Sequence, residues 1–397
     1  MPKVFDCMVV GLGANGSSTL YHLSRTGRKV IGIDRFTPPH THGSSHGESR
    51  IIRQAYYEDP VYVPLLQAAY EEWERLEKAS GKKLFLKTGG IMLGDKDTAV
   101  VRGSKLSADT HGIPYEYLDS TSLRQRFPAF RPADDTVGLL EKEAGILFPE
   151  ECIRTFLDQA ITQGAAIHYD ELVLNIVHDK NSIEITTTKE KYSVGSLILS
   201  AGAWTNQLLS GLHSSDAMHP LASLPLTVKR QVLFWFANDN AQDHDRFLPA
   251  NMPIYIWEYT EGKMFYGFPD LGAGIKIAPH HRGHSIDPDH LSQDVSQKEI
   301  EEMKDIAREY LGMSPVFQKS AVCMYTNTPD ENFIIDFHPE YKNIIIASPC
   351  SGHGFKFSSL TGRILSDMAM GNDTGFDLSP FSLTRPAIAT ASPSLQK

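Results

Sequence analysis

The chain is expected to fold as a two-domain α/β protein, α+β when taken whole, and three stretches predict it. At residues 6–34, DCMVVGLGANGSSTLYHLSRTGRKVIGID, an apolar run (Met8, Val9, Val10) enters Gly11-Leu-Gly13-Ala-Asn-Gly16. A helical pattern with Leu20 and Leu23 follows, and Val30, Ile31 and Ile33 lead to Asp34. Between 230 and 268 the chain turns to aromatic segments, Arg230–Phe236, Ile254–Trp257 and Lys263–Phe268. Near the end, Asn343–Ala347 and the turn Ser348-Pro-Cys-Ser-Gly-His-Gly354 return to strand, turn and helix. The first and third stretches predict a largely parallel sheet carrying helices, and the second an antiparallel sheet with one face covered.

The opening stretch is organised around its glycines. Gly11 lets the chain turn tightly, Gly13 lets backbone approach a pyrophosphate, and Gly16 lets helix and strand pack closely, the Rossmann-like pattern for a dinucleotide. The helix N-terminus then offers free N–H groups and a positive dipole end to phosphates. Asp34 lies 18 residues past Gly16, close to the roughly 20 expected of the carboxylate that accepts from the adenosine ribose, and an acid there argues against NADP. A dinucleotide motif opening at residue 6 leaves all the substrate machinery downstream, which points to FAD over NAD.

The 397 residues exceed one ordinary core, so two domains are expected. The predicted division is 1–85, 145–215 and 320–385 for the FAD-binding domain, 86–144 and 216–319 for the substrate-binding domain, and 386–397 as a loose, small and polar tail. The net charge of −10 is spread without long acidic runs and argues against a nucleic-acid or anionic-membrane partner. No apolar stretch of 18 residues suggests a membrane span, and a strand opening at the N-terminus leaves no room for a signal peptide. Cys7, Cys152, Cys323 and Cys350 are too widely spaced for a disulfide framework or a metal cluster, as expected of a cytoplasmic protein without a metal site.

Along the chain, residues 35–53 read as a polar loop beside the cofactor motif, a natural place for function. A helix is predicted over 61–80, with Leu66, Ala69, Tyr70, Trp73 and Leu76 on one face and Gly81 as its C-cap, then a strand over 88–94. Residues 95–147 mix short helices and turns. Ile153–Ile161 reads as a helix, and 171–177, 182–188 and 196–204 as strands, the last ending in Ala-Gly-Ala beside the cofactor. The pattern Ser296-x-x-Glu299 is a capping box that opens a helix over 297–311, closed by Gly312.

Three strings then carry a resemblance: Gly43-Ser-Ser-His-Gly-Glu-Ser-Arg-Ile-Ile-Arg53, Cys323-Met-Tyr-Thr-Asn-Thr-Pro-Asp-Glu-Asn-Phe-Ile-Ile-Asp336 and Ser351-Gly-His-Gly-Phe-Lys356-Phe. Together they resemble the monomeric sarcosine oxidase family of flavoenzymes, which includes N-methyltryptophan and pipecolate oxidases, and the likeness runs collinearly from Val9 to Phe381. The resemblance implies FAD held covalently by a thioether from Cys323 to the isoalloxazine 8α-methyl. It implies a flavin-dependent oxidase of secondary amino acids, monomeric, consuming O₂ and releasing H₂O₂; with sarcosine the other products are glycine and formaldehyde. The implied cofactor contacts are Cys323, Gly11, Gly13, Gly16, Asp34, Arg35, Ser44, Val173, Gly202, Gly352, Gly354 and Lys356. Arg53 and Lys356 are implied to hold the substrate carboxylate, a planar fork and a point charge. Lys276 is implied to activate oxygen, since an ammonium stabilises superoxide in a low-dielectric site. Tyr266, His280 and Tyr325 are implied to line the substrate cavity. A thiolate has to form at Cys323, so its pKa is expected to be lowered by nearby cations, Arg50 and His46.

Three positions depart from the family pattern: Ser45 and Gln54, where bacterial sarcosine oxidases show histidine, and Ser348-Pro-Cys350 before Ser-Gly-His-Gly. The string around residue 45 is closer to the pipecolate-type members, so the substrate side chain stays open among sarcosine, larger N-methyl amino acids and cyclic imino acids. Two other activities fit the same motif: a dehydrogenase with another electron acceptor, and a non-catalytic dinucleotide-binding protein.

Overall fold

The computed structural model describes residues 1–179, 182–214 and 221–391. Its first sheet is built on the strand Lys3–Val10, which pairs in parallel with Val30–Ile33 on one side and Lys191–Leu199 on the other. Ile344–Ser348 joins Lys191–Leu199 in parallel, and Ala166–His168 joins Val30–Ile33. The unbroken apolar run of the first strand is explained by burial on both faces. Cys7 and Val9 pack with the helices, and Met8 and Val10 pack on the far side with Ile31, Ile33 and Leu199. The helices Ala14–Ser24, Pro149–Thr162 and Ser358–Met370 form the layer on the first side, packed so closely that a Cβ at Gly362 would lie 2.1 Å from Ser18 Oγ.

The second sheet has eight strands in the order Pro315–Asn327, Thr227–Asn238, Ile275–Pro279, Lys263–Phe268, Ile254–Thr260, Gly90–Asp95, Thr136–Glu141 and Glu116–Leu118. All neighbours are antiparallel except Ile254–Thr260 with Gly90–Asp95. The period of two sorts its side chains. Phe234, Phe236, Phe265, Ile275, Ile277 and Val322 face the helix Gln297–Leu311, and Leu233, Trp235, Tyr266, Ala278 and Cys323 face the other way, toward the first sheet.

The predicted elements are found with small shifts. The helix over 61–80 is a 3₁₀ turn Pro60–Tyr62 followed by Val63–Ser80 with Gly81 left-handed, and Gln297–Leu311 carries the complete capping box. The strand predicted to run to Trp204 ends at Leu199, and Gly202–Trp204 is a 3₁₀ turn. The boundary drawn at 319/320 falls inside the strand Pro315–Asn327, so Cys323 belongs to the second sheet. The tail is a correction: Pro386–Ala389 form a helical turn whose Ile388 is fully buried with Ile334 and Ile346. Burying one isoleucine is worth about 1.5–3 kcal/mol, enough to order a short segment of small residues. Positions 392–397 of the tail lie outside the described residues.

Candidate active site

One cavity runs from Asp34 and Arg35, past Gly11, Gly13 and Ser44, to Cys323, Tyr325 and Lys356. Its floor is the glycine turn. Gly11 has φ +89°, and a Cβ there would lie 2.5 Å from Ser200 O; one at Gly16 would lie 1.7 Å from Gly11 O. No larger residue fits either place, and the helix N-terminus is thereby brought against the cavity. Asp34 is fixed by Leu12 N donating to Oδ2 at 2.7 Å and Phe36 N to Oδ1 at 2.8 Å. Arg35 is fixed by Asp289, which also accepts from Trp204 and Gln207, so one carboxylate from the second sheet's connections organises that wall.

The roof follows from strand register. Trp235 pairs with Lys276, Lys276 with Phe268, Ile256 with Tyr266, and Gln231 with Cys323, which places Tyr266, Phe268, Lys276 and Cys323 on the same side of the sheet. His280 continues the alternation past Lys276 and Ala278, its Nδ1 3.3 Å from Tyr325 Oη. Burial drives the His280 pKa well below the usual histidine value, raises Tyr266 to about 12 and holds Tyr325 well above the usual tyrosine value, leaving a neutral imidazole beside two protonated phenols.

Cations gather at this end. Arg50 donates to Ser49 O at 2.8 Å and to Ser44 O and His46 O at 2.6 Å. Lys276, 2% exposed, donates to Gly47 O at 2.6 Å and to Ser49 O and Oγ at 3.0 Å. Burial first and Arg50 second push its pKa well down, yet three acceptors match the three protons of an ammonium. Arg53, 1% exposed, donates Nη1 to Ala55 O at 3.1 Å and Nη2 to both oxygens of Glu58 at 2.8 and 2.6 Å. Lys356 Nζ donates to His353 O at 2.8 Å, and burial, followed by Arg53, lowers its pKa to about 7.

Every predicted site residue lines the cavity except Gly16, His46 and Lys276. Gly16 lies beneath the turn, and Lys276 sits behind the wall, 4.7 Å from the Phe268 ring. His46 is the correction. It is buried, its pKa is lowered to about 4 by burial and Arg50, and it is therefore neutral near pH 7 and supplies no charge to the thiol. Cys323 feels Arg50 and Lys276 instead, and burial outweighs both, so its pKa is raised and not lowered. Sequence reasoning missed the acidic partners. Glu58 pairs with Arg53, Glu150 accepts from Gly47 N and Glu48 N, Glu141 accepts from Gln54 N and Ala55 N, and Asp289 holds Arg35. None stands in a motif, and Asp289 is separated from Arg35 by 254 positions.

The residues fit a bound dinucleotide. The glycine cradle accepts only backbone, and three polar atoms without a partner among the described residues, Asn15 Oδ1, Arg53 Nε and Thr326 Oγ1, belong to residues that line the same cavity. The comparisons agree. The chain belongs to the FAD dependent oxidoreductase family, whose model matches residues 6–368. Within it, the chain is 38% identical over 396 residues to the monomeric sarcosine oxidase of Streptomyces avermitilis, covering 98% of this chain and 100% of that one. It is 34% identical over 385 residues to the N-methyl-L-tryptophan oxidase of Salmonella dublin, covering 96% and 99%. Among solved structures, NikD, an amino acid oxidase of nikkomycin biosynthesis, superposes with TM-score 0.82 at 23% identity, covering 96% of this chain and 97% of that one, which supports the fold.

Proposed function

We propose that this enzyme oxidises the N-methyl group of a small secondary amino acid, sarcosine foremost, using O₂ and an FAD joined to Cys323. The observation that supports the reading is the register that turns Cys323, Tyr325 and Tyr266 to one side of the second sheet, where they line the same cavity as His280, Arg53 and Lys356. When bound, FAD would supply the acceptor for a hydride equivalent from the carbon beside the amine nitrogen and the route of that electron pair to O₂. The protein's own work is placement. Arg53 and Lys356 hold the carboxylate, so the amine end points toward Tyr266, His280 and Tyr325. None of those three is a strong base, so the substrate enters as neutral amine and the site orients it. Glu58 occupies part of the Arg53 fork, so an incoming carboxylate shares or displaces it. The first sheet would hold the dinucleotide and the second would roof the substrate. We take the enzyme to act as a monomer in the cytoplasm; the Streptomyces relative carries "monomeric" in its name, and no disulfide joins any of the four cysteines.

The test is a panel of sarcosine, N-methyltryptophan, pipecolate and proline in a peroxide assay. Sarcosine is expected to give H₂O₂ and formaldehyde in equal amounts, and silence with every secondary amino acid would end the reading. Arg53→Ala is expected to weaken a simple carboxylate inhibitor on the order of 30-fold, the loss of charged hydrogen bonds; unchanged affinity removes Arg53 from the grip. The Lys356 ammonium is charged below its pKa of about 7 and neutral above it. The same inhibitor should therefore bind more tightly at about pH 6 than at about pH 8.5, on the order of tenfold. Lys356→Met should flatten that profile; a profile equally steep in the variant assigns the pH dependence elsewhere.

A further inference from the structure

Arg53 is held by a residue outside the cavity. Glu141 ends the strand Thr136–Glu141 of the second sheet, is 1% exposed, and does not line the cavity. Its carboxylate accepts from Gln54 N through both oxygens at 2.9 Å and from Ala55 N at 2.8 Å. Ala55 in turn presents its carbonyl to Arg53 Nη1 at 3.1 Å. A single residue thus receives the carboxylate on its N–H and gives its C=O to the guanidinium.

We propose that Glu141 is a positioning residue for substrate-carboxylate recognition: by fixing the two amides after Arg53 it sets where the guanidinium fork stands. A buried carboxylate is costly unless its lone pairs are used, and nothing in the strand Thr136–Glu141 needs one for pairing, since Glu141 already pairs through its backbone with Gly90. The two amides are its return. They follow directly on the residue whose aim decides substrate binding; Arg53 Nε is left without a hydrogen-bond partner among the described residues, so the fork's hydrogen bonds run through Nη1 and Nη2, with the guanidinium over the Tyr56 and Tyr57 rings at 4.3 and 4.6 Å. With the Ala55 carbonyl released, Glu58 would be the remaining hydrogen-bond anchor, and the fork would turn toward it over the Tyr56 and Tyr57 rings and away from a ligand.

The inference rests on the proposal that Arg53 binds the substrate carboxylate, and a double-mutant cycle separates the two. Acetate is titrated into the FAD-loaded enzyme and its binding followed by the flavin spectrum, for the parent, Glu141→Gln, Arg53→Ala and the double variant. Glutamine keeps the shape but turns an N–H toward Gln54 N, so Glu141→Gln is expected to weaken acetate about five- to tenfold, the worth of one or two hydrogen bonds. In the Arg53→Ala background the same change is expected to cost nothing. A purely structural defect would weaken acetate in both backgrounds, and that result overturns the proposal. If Arg53→Ala weakens acetate while Glu141→Gln does not, the positioning role falls and the carboxylate grip stands. If Arg53→Ala has no effect, both fall. Should Glu141→Gln fail to fold, Glu141→Asp, which keeps the charge one methylene short, enters the same cycle with the same readings.

Discussion

Cys323→Ala is expected to release all of the bound FAD on acid denaturation, where the parent enzyme is expected to carry its yellow colour into the pellet. The expectation rests on placement. Cys323 is 2% exposed, yet it lines the cavity and packs with Leu233, Trp235, Ala278 and Tyr266 on the inward face of the second sheet. Burial raises its pKa, and only Arg50 and Lys276 oppose that rise. A thiol so placed attacks slowly, because the thiolate is the nucleophile and is scarce near pH 7. Attachment should therefore quicken with rising pH, and it should slow sharply when Arg50 is replaced by methionine. The check is apo-protein incubated with FAD, sampled in time, acid-precipitated, and read by absorbance of pellet against supernatant. Flavin in the supernatant from the parent enzyme would sink the covalent assignment while leaving FAD binding at the glycine turn intact.

What could be read without coordinates was what the chain writes locally. The turn from Gly11 to Gly16, the acid at Asp34 and the capping box at Ser296 are patterns within one or two elements, and each was found where expected. Alternation in the aromatic strands was also legible, and register then carried it to the site: with Phe234 and Phe236 under the helix, Trp235 and its partner Lys276 had to face inward. Illegible were the charges that approach from distant segments. Glu141 meets Ala55 across 86 positions, and Lys276 meets Gly47 across 229. The resemblance had set His46 beside Arg50 as a cation near the thiol. The fold buries it and leaves it neutral, and the second cation near the thiol comes from Lys276. Composition misled at the tail, where one isoleucine among small polar residues was enough to dock a turn.

Lys276→Met is expected to slow the reaction of the reduced enzyme with O₂ by about 10²–10³-fold, the usual loss when one preorganised charge is removed from a developing anion. Reduction by substrate should change by less than about threefold, because Lys276 does not line the cavity proposed to hold substrate. The distinction is physical. The first electron given to O₂ creates a small anion in a site shielded from water, where an ammonium some ångströms away still acts strongly. Three oxygen acceptors, Gly47 O, Ser49 O and Ser49 Oγ, favour the ammonium form and work against the burial that pushes its pKa down. Methionine preserves the volume against Trp235 and Phe268 and removes the charge. Stopped-flow absorbance reads the two half-reactions separately, and equal slowing of both would mean that the substitution disturbs the wall and not the charge. Ser49→Ala offers the graded case. It removes one of the three acceptors while leaving the lysine, so the oxygen step should fall by a smaller factor and fall further as pH rises, since the ammonium then loses its proton at lower pH.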